Sequence, residues 1–233
     1  DVLMRYWAVI VAAGDGTRLG QKMRKAAVEL AGKPLAARSA EVVTSHPDCI
    51  GGVLVVHSDD VEVAQQWLDS IAERDFDFEI VTGGASRRES VRRGVDVLGS
   101  RAEPGDLVAI HDGARPLLNR KDLDRVLEVA SESGAALLAE AVTDTLHRGN
   151  DNASWDGFVD RDHLWKVQTP QIFGYSQLID ALKSEAGGRT DEVEGMVATG
   201  QPVQFVQAKY PNLKITTPAD LQLAELLYES RQA

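Results

Sequence analysis

The feature that most constrains this chain is the recurrence of apolar runs of strand length, at 7–12, 52–57, 78–82, 107–111, 135–142 and 203–207, with helical periodicity between most of them. Such runs read as strands buried on both faces, and their alternation with helices predicts a mostly parallel sheet covered on both sides. Between Lys121 and Gly134, for example, Leu123, Val126, Leu127 and Ala130 fall on one helical stripe. Further on, Thr217 is a candidate cap and Pro218 a first-turn residue of a last helix, with Leu223, Leu226 and Leu227 expected on its buried side. The expected fold class is α/β, a Rossmann-like sheet with helices on both faces, in a single domain over 1–233.

One stretch breaks the rhythm. Residues 143–162 are polar, centred on Gly149-Asn150-Asp151-Asn152, with Leu146 before the centre and Trp155, Phe158 and Val159 after it. This reads as a long β-hairpin projecting from the sheet as an arm, at about 140–163. A surface loop is the alternative, but it would leave Trp155 and Phe158 in water, whereas a dimer contact would cover them.

Directly after the first apolar run comes Ala12-Ala13-Gly14-Asp15-Gly16-Thr17-Arg18-Leu19-Gly20. Glycines let backbone N–H groups approach an anion with no Cβ in the way, and an arginine offers a planar fork matched to phosphate oxygens. Lys22, Arg24 and Lys25 add charge. The spacing excludes a dinucleotide fingerprint, whose third glycine would fall one residue before Gly20, and it excludes a P-loop. A plain strand-turn-helix joint with solvated charges remains the alternative at this point.

The formal net charge of −11 argues against a general binder of nucleic acid or anionic membranes. A phosphate site must therefore be local, and cations do cluster, at 18–25, at Arg87-Arg88 with Arg92-Arg93, and around Lys209 and Lys214. The arginine cluster could equally be an exposed helix face. The single cysteine, Cys49, permits no internal disulfide, and no Cys/His spacing suggests zinc. With no apolar stretch of about 18 residues and no basic-then-apolar leader, a soluble, cytoplasmic protein is expected.

In an open α/β sheet ligands bind at the carboxyl ends of the strands, so the segments after each run are the candidates. Gly83-Gly84 leaves main chain open for a planar base, and Ser90 adds a hydroxyl. Asp112, in His111-Asp112-Gly113-Ala114-Arg115-Pro116, puts a carboxylate at the crevice where it could hold Mg²⁺ or instead cap the turn that follows. Lys214, in Asn212-Leu213-Lys214-Ile215-Thr216-Thr217-Pro218, needs an anion for company, and a phosphate would serve.

Together with Val159-Asp160-Arg161, Gln168-Thr169-Pro170-Gln171-Ile172-Phe173 and Thr190-Asp191-Glu192, these segments resemble, nearly end to end, the 2-C-methyl-D-erythritol 4-phosphate cytidylyltransferase family. The resemblance implies a homodimer that uses CTP and Mg²⁺ on a polyol phosphate. It implies that CTP lies against Ala12, Ala13, Gly14, Gly16, Gly83, Gly84 and Ser90, that Arg18 and Lys25 contact the triphosphate, and that Asp112 and Arg115 line the site near the metal. It further implies that Lys214, Thr169, Thr190 and Asp191 hold the acceptor, with Thr145 and Arg161 supplied by the partner's arm. The chain departs from the family pattern at Arg24 and Ala26, which flank Lys25 where proline and glutamine are usual, at Ala85, and at Gly113. Lys22 is the fallback for Lys25. A ribitol-5-phosphate cytidylyltransferase and a catalytically idle nucleotide-binding module remain the alternatives.

Overall fold

The computed structural model describes residues 4–14, 24–71, 74–184 and 191–231. Its strands are β1 (Tyr6–Ala12), β2 (Glu29–Leu30), β3 (Lys33–Pro34), β4 (Cys49–Val56), β5 (Phe78–Thr82), β6 (Leu107–Asp112), β7 (Ala135–Ala141), β8 (Leu146–Gly149), β9 (Trp155–Val159), β10 (Trp165–Gly174) and β11 (Gln204–Gln207). Its α-helices are α1 (Leu35–Val43), α2 (Val61–Asp69), α3 (Arg87–Asp96), α4 (Arg120–Ser133), α5 (Tyr175–Lys183), α6 (Val193–Ala198) and α7 (Pro218–Ser230). Among the described residues, seven strands form one sheet in the order β11-β7-β10-β6-β1-β4-β5.

The sheet is parallel as expected, through the β1–β4, β1–β6, β4–β5 and β7–β11 pairs. The exception is β10, which lies antiparallel between β6 and β7 and was not among the expected strands. Its sequence explains the omission: the outer half, Trp165-Lys166-Val167-Gln168, is exposed or half-buried, and the fully buried apolar part is only Ile172-Phe173.

Helices cover both faces, and β1 shows why its run is continuous. Tyr6, Ala8 and Ile10 pack into a core with Ala36, Ala40, Leu68 and Leu127 from α1, α2 and α4. Trp7 and Val9 point the other way, to Val91, Leu178 and Met196 from α3, α5 and α6. A run apolar on both faces is what this strand period requires.

In α7 the expected cap is present: Thr217 accepts from the Asp220 N–H while the Asp220 carboxylate accepts from the Thr217 N–H, with Pro218 in the first turn. The expected buried face is only partly right. Leu227 packs inward with Leu221 and Tyr228 around the buried Ala224, but Leu223 and Leu226 are 49% and 66% exposed. The helix lies against its neighbours through a narrow stripe centred on a small residue, so the leucine count misplaced the phase of the period, not the period itself.

The expected hairpin is β8 paired antiparallel with β9, a two-stranded sheet separate from the main one. Trp155 and Phe158 on it are 70% and 66% exposed. No helix among the described residues is long and apolar enough to cross a membrane.

Candidate active site

A pocket of about 560 Å³ opens where the carboxyl ends of β1, β4 and β6 meet the segments that follow them. That volume suits a nucleotide-sized ligand. Its wall is main chain where three segments close on one another. A Cβ on Gly83 would lie 2.2 Å from the Ala13 Cβ, and one on Gly113 would lie 2.8 Å from the Ala12 Cβ, so only glycine permits this approach. Gly83 N–H donates to the Val56 carbonyl and Gly113 N–H to the Val11 carbonyl, which ties both turns to the strand ends. Ser90 Oγ, nearly inaccessible, accepts from the Gly84 N–H at 3.0 Å and donates to the Ser86 carbonyl at 2.9 Å, fixing the Gly83-Gly84 turn from behind.

Opposite this wall Asp112 collects positive charge. Its Oδ2 lies 2.9 Å from Lys214 Nζ and 3.4 Å from Arg115 Nε, and its Oδ1 lies 3.5 Å from Arg87 Nε. Burial pushes the Asp112 carboxyl up, but the charges of Lys214, Arg87 and Arg115 overrule it and hold it well below the usual carboxylate range. The alternative role as a side-chain turn cap is not adopted, since the turn is closed by the Arg115 N–H on the Asp112 carbonyl.

Below the carboxylate runs an ordered chain of hydrogen bonds. The Asp112 N–H donates to Thr169 Oγ1 at 3.0 Å, the Thr169 hydroxyl donates to His111 Nδ1 at 3.1 Å, and His111 Nε2 donates to the Arg115 carbonyl at 3.0 Å. This order fixes the neutral tautomer of His111, and complete burial pushes its pKa down to about 4.

The expected residues therefore divide. Ala12, Ala13, Gly14, Lys25, Gly84, Ser90, Asp112 and Lys214 line one pocket. Gly83 forms the back of that wall, and Arg115 sits behind Asp112, its second donor on the Asn212 carbonyl. Thr169 is 3% exposed with its hydroxyl engaged beneath Asp112, not on the pocket wall. Asp191 accepts from the Val193 N–H, next to the buried Glu192 that pairs with the pocket-lining Arg87. Thr145 and Arg161 are exposed at the base of the arm and line no part of this pocket in their own chain; Arg161 donates to the Thr143 carbonyl. Gly16, Arg18, Lys22 and Thr190 lie outside the described residues.

Arg24, the departure beside Lys25, turns away from the pocket to Asp59 and Asp60. The arginine cluster splits likewise. Arg92 and Arg93 pair on the exposed helix face with Asp96 and Glu89, while Arg87 turns into the pocket and holds both carboxylate oxygens of Glu192 at 3.0 and 3.1 Å. Glu192 and His111 stand inside the site-forming motifs with no role readable from the sequence. The only signal in the sequence is an ionisable residue within an otherwise site-forming block.

No group of three or more His, Cys, Asp and Glu side chains converges among the described residues. One carboxylate fits magnesium that arrives with a polyphosphate, because that ion binds through one or two carboxylates plus phosphate oxygens and water. It does not fit a metal centre built by protein alone.

A mostly parallel sheet whose crevice joins a glycine-walled pocket to a carboxylate ringed by cations has the parts to hold a nucleotide and its phosphates. The family model for 2-C-methyl-D-erythritol 4-phosphate cytidylyltransferase matches residues 6–230. The chain belongs to that family. It is 37% identical over 229 residues to the enzyme of that name from Desulforamulus reducens, covering 96% of each chain. It is 36% identical to the one from Geobacillus thermodenitrificans, covering 99% of this chain and 100% of that one. Among solved structures it is similar to a 4-diphosphocytidyl-2C-methyl-D-erythritol synthase, with a TM-score of 0.81 at 29% identity over 97% of this chain and 99% of that one. The Thermus thermophilus cytidylyltransferase gives a TM-score of 0.75 at 29% identity over 97% of this chain and 100% of that one.

Proposed function

We propose that the pocket described above is where the family's reaction takes place. The enzyme transfers the cytidylyl group of CTP to 2-C-methyl-D-erythritol 4-phosphate, giving the 4-diphosphocytidyl polyol and pyrophosphate. The base lies against the main chain of Ala12 to Gly14 and Gly83-Gly84, where the absence of side chains leaves room for a planar ring. The triphosphate runs toward Arg18 and Lys25. Lys214 exchanges the Asp112 carboxylate for the acceptor phosphate, and Arg115 and Arg87 keep Asp112 charged and in place.

An acceptor phosphate oxygen attacks the α-phosphorus in line and pyrophosphate leaves. A phosphate monoester is already ionised at neutral pH, so no general base is needed. The protein's work is to hold two polyanions in register and to stabilise the charge that grows on the transferred and leaving groups. Asp112 is the residue to hold magnesium, which when bound with CTP neutralises part of the phosphate charge.

The protein acts as a cytoplasmic homodimer in which the exposed Trp155 and Phe158 of the arm meet the second subunit and bring Thr145 and Arg161 to its acceptor site. The observation that carries the whole reading is the gathering of Lys214, Arg115 and Arg87 on Asp112 in the pocket that Lys25 also lines. Phosphorus NMR of the enzyme with CTP, magnesium and 2-C-methyl-D-erythritol 4-phosphate tests it. The acceptor's monoester signal should be replaced by a diphosphate diester together with pyrophosphate; CTP breakdown with the monoester left intact would contradict it.

A further inference from the structure

Two neighbouring arginines at the start of α3 reach across the pocket edge to the same part of the chain. Arg88 donates to the Leu182 carbonyl at 3.2 Å and the Ser184 carbonyl at 2.7 Å, at the end of α5. Arg87 holds Glu192, at the start of α6, through both carboxylate oxygens at 3.0 and 3.1 Å. These partners are about a hundred residues away along the chain, and Glu192 is 1% exposed. A carboxylate that deep is costly without its partner, so the pair holds one geometry instead of exchanging with solvent. Gly195 allows α6 to close on α5, since a Cβ there would lie 2.8 Å from the Ala181 carbonyl oxygen. Arg87 also faces Asp112 with its Nε, so one guanidinium touches the carboxylate under the transfer site and the carboxylate that anchors the chain beside Asp191.

We infer that Arg87 and Glu192 form a positioning pair for the acceptor, setting the distance between the Asp191 segment and the Asp112–Lys214 ion pair. The inference rests on the reading that Asp191 and Lys214 serve the acceptor and not CTP. An ion pair that were only structural would, when broken, lower stability and weaken both substrates together. A positioning pair on the acceptor side acts unequally.

Steady-state kinetics and CTP calorimetry on the intact enzyme separate the two. Glu192→Gln, which keeps the shape and removes the charge, should raise the acceptor KM about tenfold while CTP affinity stays within about twofold. Arg87→Gln should raise the acceptor KM too, and the double variant should be no worse than the poorer single, because residues acting as a unit are not additive. Glu192→Asp keeps the charge and should retain most of the acceptor affinity; it carries the comparison if Glu192→Gln does not fold. Equal weakening of both substrates, an unmoved acceptor KM with only a lower Tm, or additive effects in the double variant would overturn the inference. A wild-type enzyme inactive with every polyol phosphate would instead overturn the functional reading on which it rests.

Discussion

Lys25 and Arg24 are adjacent cations with different fates. Lys25 lines the pocket and Arg24 is committed to Asp59 and Asp60, so of these two it is Lys25 that stands where the proposed triphosphate would run, while Lys22 lies outside the described residues. Losing one preorganised charge of this kind costs on the order of 10²–10³ in turnover. Lys25→Ala should show that loss in a pyrophosphate-release assay, and Lys22→Ala should stay near wild type; the reverse pattern would move the triphosphate to Lys22. His111 makes a prediction about stability. The unfolded chain takes up its proton near pH 6.5, the folded chain only near 4, because the buried ring disfavours the charge. The folded pKa is depressed, so this contribution is intact above pH 6.5 and is lost as pH falls toward 4, to a total on the order of 3 kcal/mol. Urea midpoints at pH 7 and pH 5 should fall less with acidification in His111→Gln than in wild type, and an equal fall would show that His111 is not the group responsible. At this scale the chemistry-bearing residues next to glycines were legible, since close backbone approach leaves a mark in sequence. Glu192 and Thr169 were not legible in their structural roles, because those roles depend on partners far along the chain.

The elements differ in how plainly the chain announces them. The buried parallel strands stand out because both faces are covered, and α4 because its stripe is wide and its end is marked by Gly134 in the left-handed conformation. β10 is hidden because half of it leaves the core toward solvent, so its apolar signal is too short to count. For α7, the chemistry of the cap was legible and the packing phase was not, since the buried position is an alanine and two of the leucines near it, Leu223 and Leu226, are exposed. The cap has a cost that can be measured: Thr217→Ala removes the acceptor for the Asp220 N–H and should destabilise by about 1 kcal/mol. In a chain of this size that is a fall of about 2–4 °C in Tm, with CTP affinity unchanged. A wild-type Tm in the variant would mean that the end of this helix is held by its packing alone.

On the scale of the whole molecule, the arm was legible as a hairpin because its aromatics and turn residues have no place in a buried sheet. Its task was not, since a single chain shows only that Arg161 is absent from its own pocket. If the arm serves a second subunit, mixed dimers of Arg161→Ala and Lys25→Ala subunits should regain part of the activity that each parent lacks, because one hybrid site keeps both residues. Mixed dimers as inactive as the parents would return Arg161 to its own subunit. In the proposed reaction the cation-ringed Asp112 and the glycine wall together serve cytidylyl transfer to methylerythritol phosphate. The decisive measurement is kcat/KM for CTP-dependent pyrophosphate release with that acceptor and with ribitol 5-phosphate side by side. Turnover with 2-C-methyl-D-erythritol 4-phosphate and a clear preference for it are expected; preference for ribitol 5-phosphate, or no pyrophosphate with either, would overturn the proposed function.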